Sequence, residues 1–322
     1  MGISAGASQA SLVIVTPVYE DTEASGRLFK ELHAELGDTP YIVAVDDGSI
    51  SRPLEASSIS EAGLAGVVVK LKRNVGHQCA IAVGINYAAE HFPDHPVVVM
   101  DSDGEDRPQT VKMLTGVLRA PDVDVVVAQR KSRVETWRFR AFYLIYKGLF
   151  RALTGRRIGF GNFMALKPLA VKRLAAMQEL WTHVAGCVLT SRLRIALCAL
   201  DRGPRYAGHS KMNFIGLTVH GFKALMIFAE DVLVRVGIAC TFLAVLSVLG
   251  AAAAVALKLL GIATPGWFSV AIGILLLVFL QTGTLTLMTL LLTGIVRGGM
   301  VVKLAYGEFI ESCSHARQGP RA

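Results

Sequence analysis

The stretch Asp101-Ser102-Asp103-Gly104-Glu105-Asp106 directly follows the apolar run Val97 to Met100. If the backbone stays extended there, period-two geometry turns Asp101, Asp103 and Glu105 to one side. Three such oxygen ligands suit Mg²⁺ or Mn²⁺ shared with substrate phosphates. A metal at that position would act as a Lewis acid on a diphosphate leaving group. A second acidic set, Asp46-Asp47-Gly48-Ser49, offers carboxylates for a ribose hydroxyl or a base N–H, with Gly48 permitting a tight turn. Each set has a plainer alternative, a solvated acidic turn for the first and a strand-ending turn for the second. Position after a buried strand favours the chemical reading.

Cations balance these acids. The net charge is +8, and the basic residues concentrate between Arg130 and Lys223 without a recognisable nucleic-acid module. The partners expected are therefore a membrane surface or a pyrophosphate, and no nucleic acid. The segment holding Arg130, Arg133, Arg138, Arg140, Arg205 and Lys211 is rich in cations, and guanidinium forks and ammonium charge suit phosphate. Gly208 between Arg205 and Lys211 lets the chain bend so that both converge, and Ser210 adds a neutral donor.

The elements that must position these residues alternate. Leu12 to Thr16, Tyr41 to Val45, Gly66 to Leu71, Val97 to Met100 and Val123 to Ala128 read as buried strands. Thr22 to Leu36 and His77 to His91 carry apolar residues at helical spacing. The alternation predicts an α/β fold with a mainly parallel, Rossmann-like sheet and right-handed crossovers. Ligands of such sheets gather at the carboxyl ends of the strands. Those ends carry Pro17-Val18-Tyr19-Glu20-Asp21, the Asp46 and Asp101 sets, and Arg73-Asn74-Val75-Gly76-His77. From Arg130 the pattern turns mostly helical, and Phe139, Phe142, Tyr143, Tyr146, Leu149 and Phe150 form an apolar stripe beside cationic positions.

From Val236 to Val296 the only charged residue is Lys258. Residues 236–260 and 268–296 are each long enough to span the roughly 30 Å bilayer core. Lys211, Lys223 and Arg235 precede the first span, and Arg297 and Lys303 follow the second. The positive-inside rule then sets the domain before the hairpin and the C-terminal stretch together in the cytosol, with Trp267 and Phe268 at the outer interface. The expected divisions are a disordered leader over 1–10, a catalytic domain over 11–212, a juxtamembrane amphipathic helix over 213–235, the two spans, and a cytosolic tail over 297–322. Five widely spaced cysteines with no CxxC pair fit a reducing compartment.

The ordered set PVYED, DDGS, NVG and DSDGED, followed by two membrane helices, resembles the inverting family 2 glycosyltransferases of GT-A fold. Within them it is most similar to the polyprenyl-phosphate sugar synthases of the dolichyl-phosphate mannose and undecaprenyl-phosphate glucose type. The likeness runs from Leu12 through the second span. Arg130 to Arg133 with Glu135, then Gly161-Asn162-Phe163, are similar to the family's segments after its DxD motif. Arg205 to Lys211 is similar to its RxxGxSK element. The resemblance implies that Pro17, Tyr19, Asp21 and Asp47 line the nucleotide pocket and that Asp101, Asp103 and Glu105 stand at the diphosphate and metal. It further implies that Arg130, Arg133, Arg205, Ser210 and Lys211 meet donor and acceptor phosphates. The chain departs from the family's pattern at Glu20-Asp21, where Asn-Glu is usual, at Asn162 for a frequent Asp, and at His209 for a common Glu.

The activity so implied is transfer of a sugar from a UDP- or GDP-sugar to a polyprenyl phosphate at the cytosolic face of a bacterial inner membrane, with inversion. A phosphate acceptor is already anionic and needs cations more than a base. A hydroxyl acceptor would need a carboxylate to take its proton, for which Asp106 or Glu105 would serve. A non-catalytic membrane scaffold is the alternative of another class. A homo-oligomer is compatible with the sequence without being specified by it.

Overall fold

The run LVIVTPV forms β1 (Leu12–Val18) and is buried at every position. Strands β2 (Pro40–Asp46) and β3 (Ala65–Leu71) are buried along their length apart from Lys70. Continuous apolar strands of this kind require cover on both faces. In this computed structural model the described residues are 11–130, 148–156, 160–206, 221, 223–262, 264, 266–298 and 305–316. They fall into two units: Met1–Glu135 with Ile158–Ile227 and Val302–Ala322, and Thr136–Arg157 with Phe228–Val301.

The first unit is built on one eight-stranded sheet. It adds β4 (Val97–Val99), β5 (Val125–Arg130), β6 (Met164–Leu166), β7 (Ile195–Leu200) and β8 (Ile310–Ala316), in the order β7-β5-β6-β4-β1-β2-β3-β8. The pairs β1–β2, β1–β4, β2–β3 and β5–β7 are parallel. β6 runs antiparallel to both β4 and β5, and β8 antiparallel to β3.

Alternate residues of one strand feed opposite cores. Val13 and Val15 join Ile81 and Ile85 of α3 (His77–His91), Val171 and Leu174 of α5 (Pro168–Ala175), and Val184 and Val188 of α6 (Val184–Thr190). Ile14 instead joins Leu28, Phe29 and Leu32 of α1 (Thr22–Leu36), Ile59 of α2 (Ser57–Ser60), and Leu114 and Leu118 of α4 (Val111–Leu118). The GT-A layering of helices on both faces of a mostly parallel sheet follows from this two-sided burial.

The stretch after the hairpin is not merely a tail. β8 pairs with β3 from Gly66↔Ala316 to Leu71↔Ile310. Trp181 stacks on Phe309 at 5.4 Å, and Lys72 Nζ donates to the Glu308 carbonyl at 2.9 Å. The backbone groups on the outer edge of β3 need partners, and β8 supplies them. Its sequence IESCSHA lacks the apolar alternation that would announce a strand.

In the second unit, α7 (Ala229–Leu259) and α8 (Trp267–Gly298) are both long and apolar enough to cross a membrane. They lie antiparallel: Gly237 faces Thr289 and Gly250 faces Leu275. Threonine hydroxyls within α8 are satisfied by carbonyls of the preceding turn, as Thr282 is by Val278 at 2.7 Å. α7 begins before the span expected from Val236. Glu230 and Asp231 sit in its first turn, where acidic side chains suit the helix dipole. The last part of the juxtamembrane segment expected over 213–235 is therefore continuous with the first span. Residues 213–220 and 222 lie outside the described residues, as do 1–10 and most of the aromatic stripe.

Candidate active site

The loops at the carboxyl ends of β1, β2 and β3 are tied together by carboxylates that accept main-chain hydrogen bonds. Glu20, in the left-handed region at φ 51°, accepts from the N–H groups of Ile50, Ser51 and Arg52 at 2.7, 3.0 and 2.8 Å. Asp46 accepts from Ser49 N at 2.9 Å and Leu54 N at 3.0 Å. Asp47 reaches the other way, to Val75 N at 2.7 Å and Gly76 N at 3.0 Å. Burial pushes its carboxyl above the usual range, against the lowering effect of those two bonds. A Cβ at Gly48, whose φ is +70°, would fall 2.5 Å from the Arg73 carbonyl carbon. Glycine is required there so that the DDGS turn and the NVG turn can touch.

That contact aims His77, the first residue of α3, at the end of β4. His77 Nε2 lies 3.3 Å from Asp101 Oδ1 and 3.1 Å from Asn162 Nδ2. Burial lowers the affinity of the imidazole for a proton, but the nearby Asp101, Asp103 and Asp47 outweigh it and its pKa is raised.

The loop after β4 does not remain extended. Glu105 N donates to Asp103 Oδ1 at 3.0 Å, Gly104 takes φ +85°, and Asp101 N donates to Asp106 Oδ2 at 3.0 Å. An Asp side chain capping its own turn competes with extension. Period-two geometry therefore does not describe this loop, and Asp103 and Glu105 meet instead at one guanidinium, that of Arg205. Burial and the neighbouring Asp101 push the Asp103 carboxyl above its usual range, against the pull of Arg205, Arg202 and His77. Repulsion between the two aspartates is what a bound cation relieves, so this pair suits Mg²⁺ or Mn²⁺. Glu105 is engaged otherwise, in ion pairs with Arg202 and Arg205. Among the described residues no three His, Cys, Asp or Glu side chains form a metal-holding group.

The segment from Arg202 to Tyr206 is laid along this loop. Gly203 N donates to the Glu105 carbonyl and Tyr206 N to the Asp103 carbonyl, each at 2.9 Å. Arg205 Nε lies 2.8 Å from Glu105 Oε1 and its Nη2 3.1 Å from Asp103 Oδ2. Tyr206 donates to Glu31 at 2.6 Å, with Arg27 over its ring at 4.3 Å. A cleft of about 370 Å³ runs beside it between Arg27, Arg107 and Arg205.

The structure thus gathers Tyr19, Asp21, Asp47, Asp101, Asp103, Glu105 and Arg205 on loops following parallel strands, as the strand-end rule predicts. Tyr19 is exposed, Pro17 is buried within β1, and Asp21 precedes α1. Asp47 differs from expectation in that both carboxylate oxygens hold the NVG turn. Arg130 ends β5 opposite Leu200. Arg133, Ser210 and Lys211 lie outside the described residues. Sequence reasoning missed Glu20 as a loop organiser, His77 as the partner of Asp101, and Arg202; all act across more than 20 residues, as His77 Nε2 does to Asp101, which no local spacing reveals.

The sequence model of glycosyl transferase family 2 matches residues 13–181, which contain the carboxyl ends of β1 to β4. The chain belongs to glycosyl transferase family 2 and is a glycosyltransferase. It is 28% identical over 279 residues to an uncharacterized glycosyltransferase, sll0501, of Synechocystis sp., covering 83% of this chain and 85% of that one. It is 29% identical to the undecaprenyl-phosphate 4-deoxy-4-formamido-L-arabinose transferase of Enterobacter sp., over 63% of each chain. With the dodecaprenyl-phosphate galacturonate synthase of Rhizobium johnstonii the identity is 26% over 56% of each. Among solved structures, the glucosyl-3-phosphoglycerate synthase of Mycobacterium tuberculosis in complex with Mn²⁺, UDP and phosphoglyceric acid superposes with a TM-score of 0.50 and 16% identity, covering 72% of this chain and 80% of that one. That likeness establishes the fold.

Proposed function

We propose that this protein transfers a sugar from a nucleotide-diphosphate donor to a polyprenyl phosphate at the cytosolic face of a membrane, with inversion. The observation that carries the reading is the meeting of Asp101 and Asp103 with Arg202 and Arg205 at the carboxyl end of the sheet. Carboxylates for a metal-bound diphosphate and guanidiniums for phosphate oxygens are the two tools this chemistry needs. The relatives named for undecaprenyl and dodecaprenyl phosphate support that acceptor class.

In the proposed step an acceptor phosphate oxygen attacks the sugar C1 as the bond from C1 to the diphosphate oxygen breaks. Asp101 and Asp103 would hold Mg²⁺ or Mn²⁺, which supplies Lewis-acid neutralisation of the leaving diphosphate. Arg205 and Arg202, with Arg130, Arg133, Ser210 and Lys211 by their motifs, bind and orient the phosphates. Tyr19 and Asp21 face the nucleoside, and Asp47 and Glu20 keep the surrounding loops in register.

Phosphate is favoured over a hydroxyl acceptor because both candidate bases are committed. Glu105 is ion-paired to two arginines, and the buried Asp106 accepts from Asp101 N. The test is incubation of membranes containing the protein with a panel of labelled UDP- and GDP-sugars, with and without undecaprenyl phosphate, followed by extraction of lipid. A labelled lipid phosphodiester is expected from one donor. Equal transfer to a neutral alcohol-bearing lipid would refute the acceptor.

A further inference from the structure

We propose that Glu105 is a positioning residue that presents Arg205 and Arg202 to the phosphates and is no part of a metal-ligand set. The proposal rests on the reading of Arg205 as a phosphate-binding cation.

Both carboxylate oxygens of Glu105 are turned to guanidiniums. Oε1 accepts from Arg205 Nε at 2.8 Å, and Oε2 is paired with Arg202 Nη1. A carboxylate that bridges two cations has its charge already answered, unlike one kept for a hard metal ion. The two ends of the Arg205 fork are also divided: Nε goes to Glu105, while Nη2 goes to Asp103 at 3.1 Å. If Asp103 is taken up by another cation, the Nη edge is the part set loose, and the Nε bond keeps the guanidinium in place. The released edge then faces whatever anion accompanies that cation.

The backbone around this pair is built for such holding. Gly203 N and Tyr206 N donate to the carbonyls of Glu105 and Asp103, so the arginine-bearing segment is fixed on both sides of Arg205. Tyr206 lies so close over Gly104 that a Cβ there would stand 2.6 Å from the ring. The Tyr206 hydroxyl is in turn bound to Glu31 of α1. A flexible phosphate-binding arginine loses rotamer freedom at each encounter, and one already fixed loses less.

The experiment uses the purified full-length protein in detergent. Binding of Mn²⁺ alone, and of Mn²⁺ with UDP, is measured by calorimetry, and steady-state kinetics are measured with the lipid phosphate. Glu105→Ala is expected to leave Mn²⁺ affinity within about twofold while raising the KM for the phosphate-bearing substrates on the order of tenfold, the loss of one charge-assisted contact. Glu105→Gln should recover part of that loss, because its amide oxygen still accepts from Nε; it also serves if the alanine variant fails to fold. Adding Glu105→Ala to a variant that already carries Arg202→Ala and Arg205→Ala should make it no worse, since Glu105 acts through those two arginines. A loss of Mn²⁺ binding in Glu105→Gln as large as in Asp103→Asn overturns the proposal and makes Glu105 a ligand. A further defect on adding Glu105→Ala to the variant lacking both arginines overturns it as well. If Arg205→Ala changes neither KM, the phosphate reading of Arg205 itself fails, a result distinct from the other two.

Discussion

Two carboxylates side by side in the sequence, Asp46 and Asp47, serve different loops. Asp46 closes the turn that follows it, whereas Asp47 carries the β2 end to the β3 end by accepting from Val75 N and Gly76 N. The consequence is felt one residue further on, where His77 meets Asp101. Through a chain of contacts across three strand ends, Asp101 is thus linked to Asp47. Removing this acceptor leaves two partly buried N–H groups to find water, a loss of about 1 to 3 kcal/mol in total. Asp47→Ala should lower the thermal midpoint by roughly 3 to 10 °C, and Asp47→Asn by less, since one acceptor oxygen survives. Thermal unfolding followed by circular dichroism checks this. An unchanged midpoint in the alanine variant would mean that the turn holds without Asp47.

At the scale of elements, what the sequence made legible depended on burial. β1 to β3 are covered on both faces, and their apolar runs announce them; α1 and α3 begin and end where helical spacing places them. β6 is three residues long, β7 is partly exposed and β8 carries polar residues, so their membership in the sheet comes from strand pairing that composition does not encode. The site was legible in the same measure. Strand-end motifs could be found because a parallel sheet collects ligands there, while the pairing of Arg205 with Glu105 across 100 residues could not. β7 owes its place beside β5 partly to one ion pair. Asp124 accepts from Arg194 N, Nε and Nη2 at 3.0, 2.9 and 2.7 Å. Hydrogen bonds from the Arg194 side chain and main chain hold the Asp124 carboxyl down to about 2 from the usual 3.8. A depressed carboxyl contributes stability fully above its unfolded pKa and loses it as pH falls through the folded one. The difference in thermal midpoint between the native protein and Asp124→Asn should therefore be constant from about pH 7 to pH 5 and shrink between about pH 4 and pH 2. A difference that stays constant across the acid range would show that the pair contributes no pH-dependent stability.

For the whole molecule, the register of β8 on β3 bears on how the chain meets the membrane. The backbone leaves the sheet-bearing unit after Ile227 and rejoins it from Val302, closing on β3 through hydrogen bonds from Gly66↔Ala316 to Leu71↔Ile310. Strands of one sheet lie on one side of a bilayer, so the number of crossings between them must be even. α7 and α8, each longer than the roughly 20 residues that a span needs, would supply two. By the positive-inside rule, Lys223 and Arg235 before the pair and Arg297 and Lys303 after it, with Lys258 alone between Val236 and Val296, predict a cytosolic sheet-bearing side. On that prediction the turn around Thr264 is the extracytoplasmic point of the hairpin. A cysteine introduced as Thr264→Cys, in a background whose native cysteines other than Cys313 are replaced, should react with a membrane-impermeant maleimide added outside intact cells. Cys313, on β8, should react only after the cells are permeabilised. Labelling of Cys313 in intact cells together with protection at position 264 would reverse the orientation. Labelling of both in intact cells would mean that α8, which lies between them, does not cross the membrane.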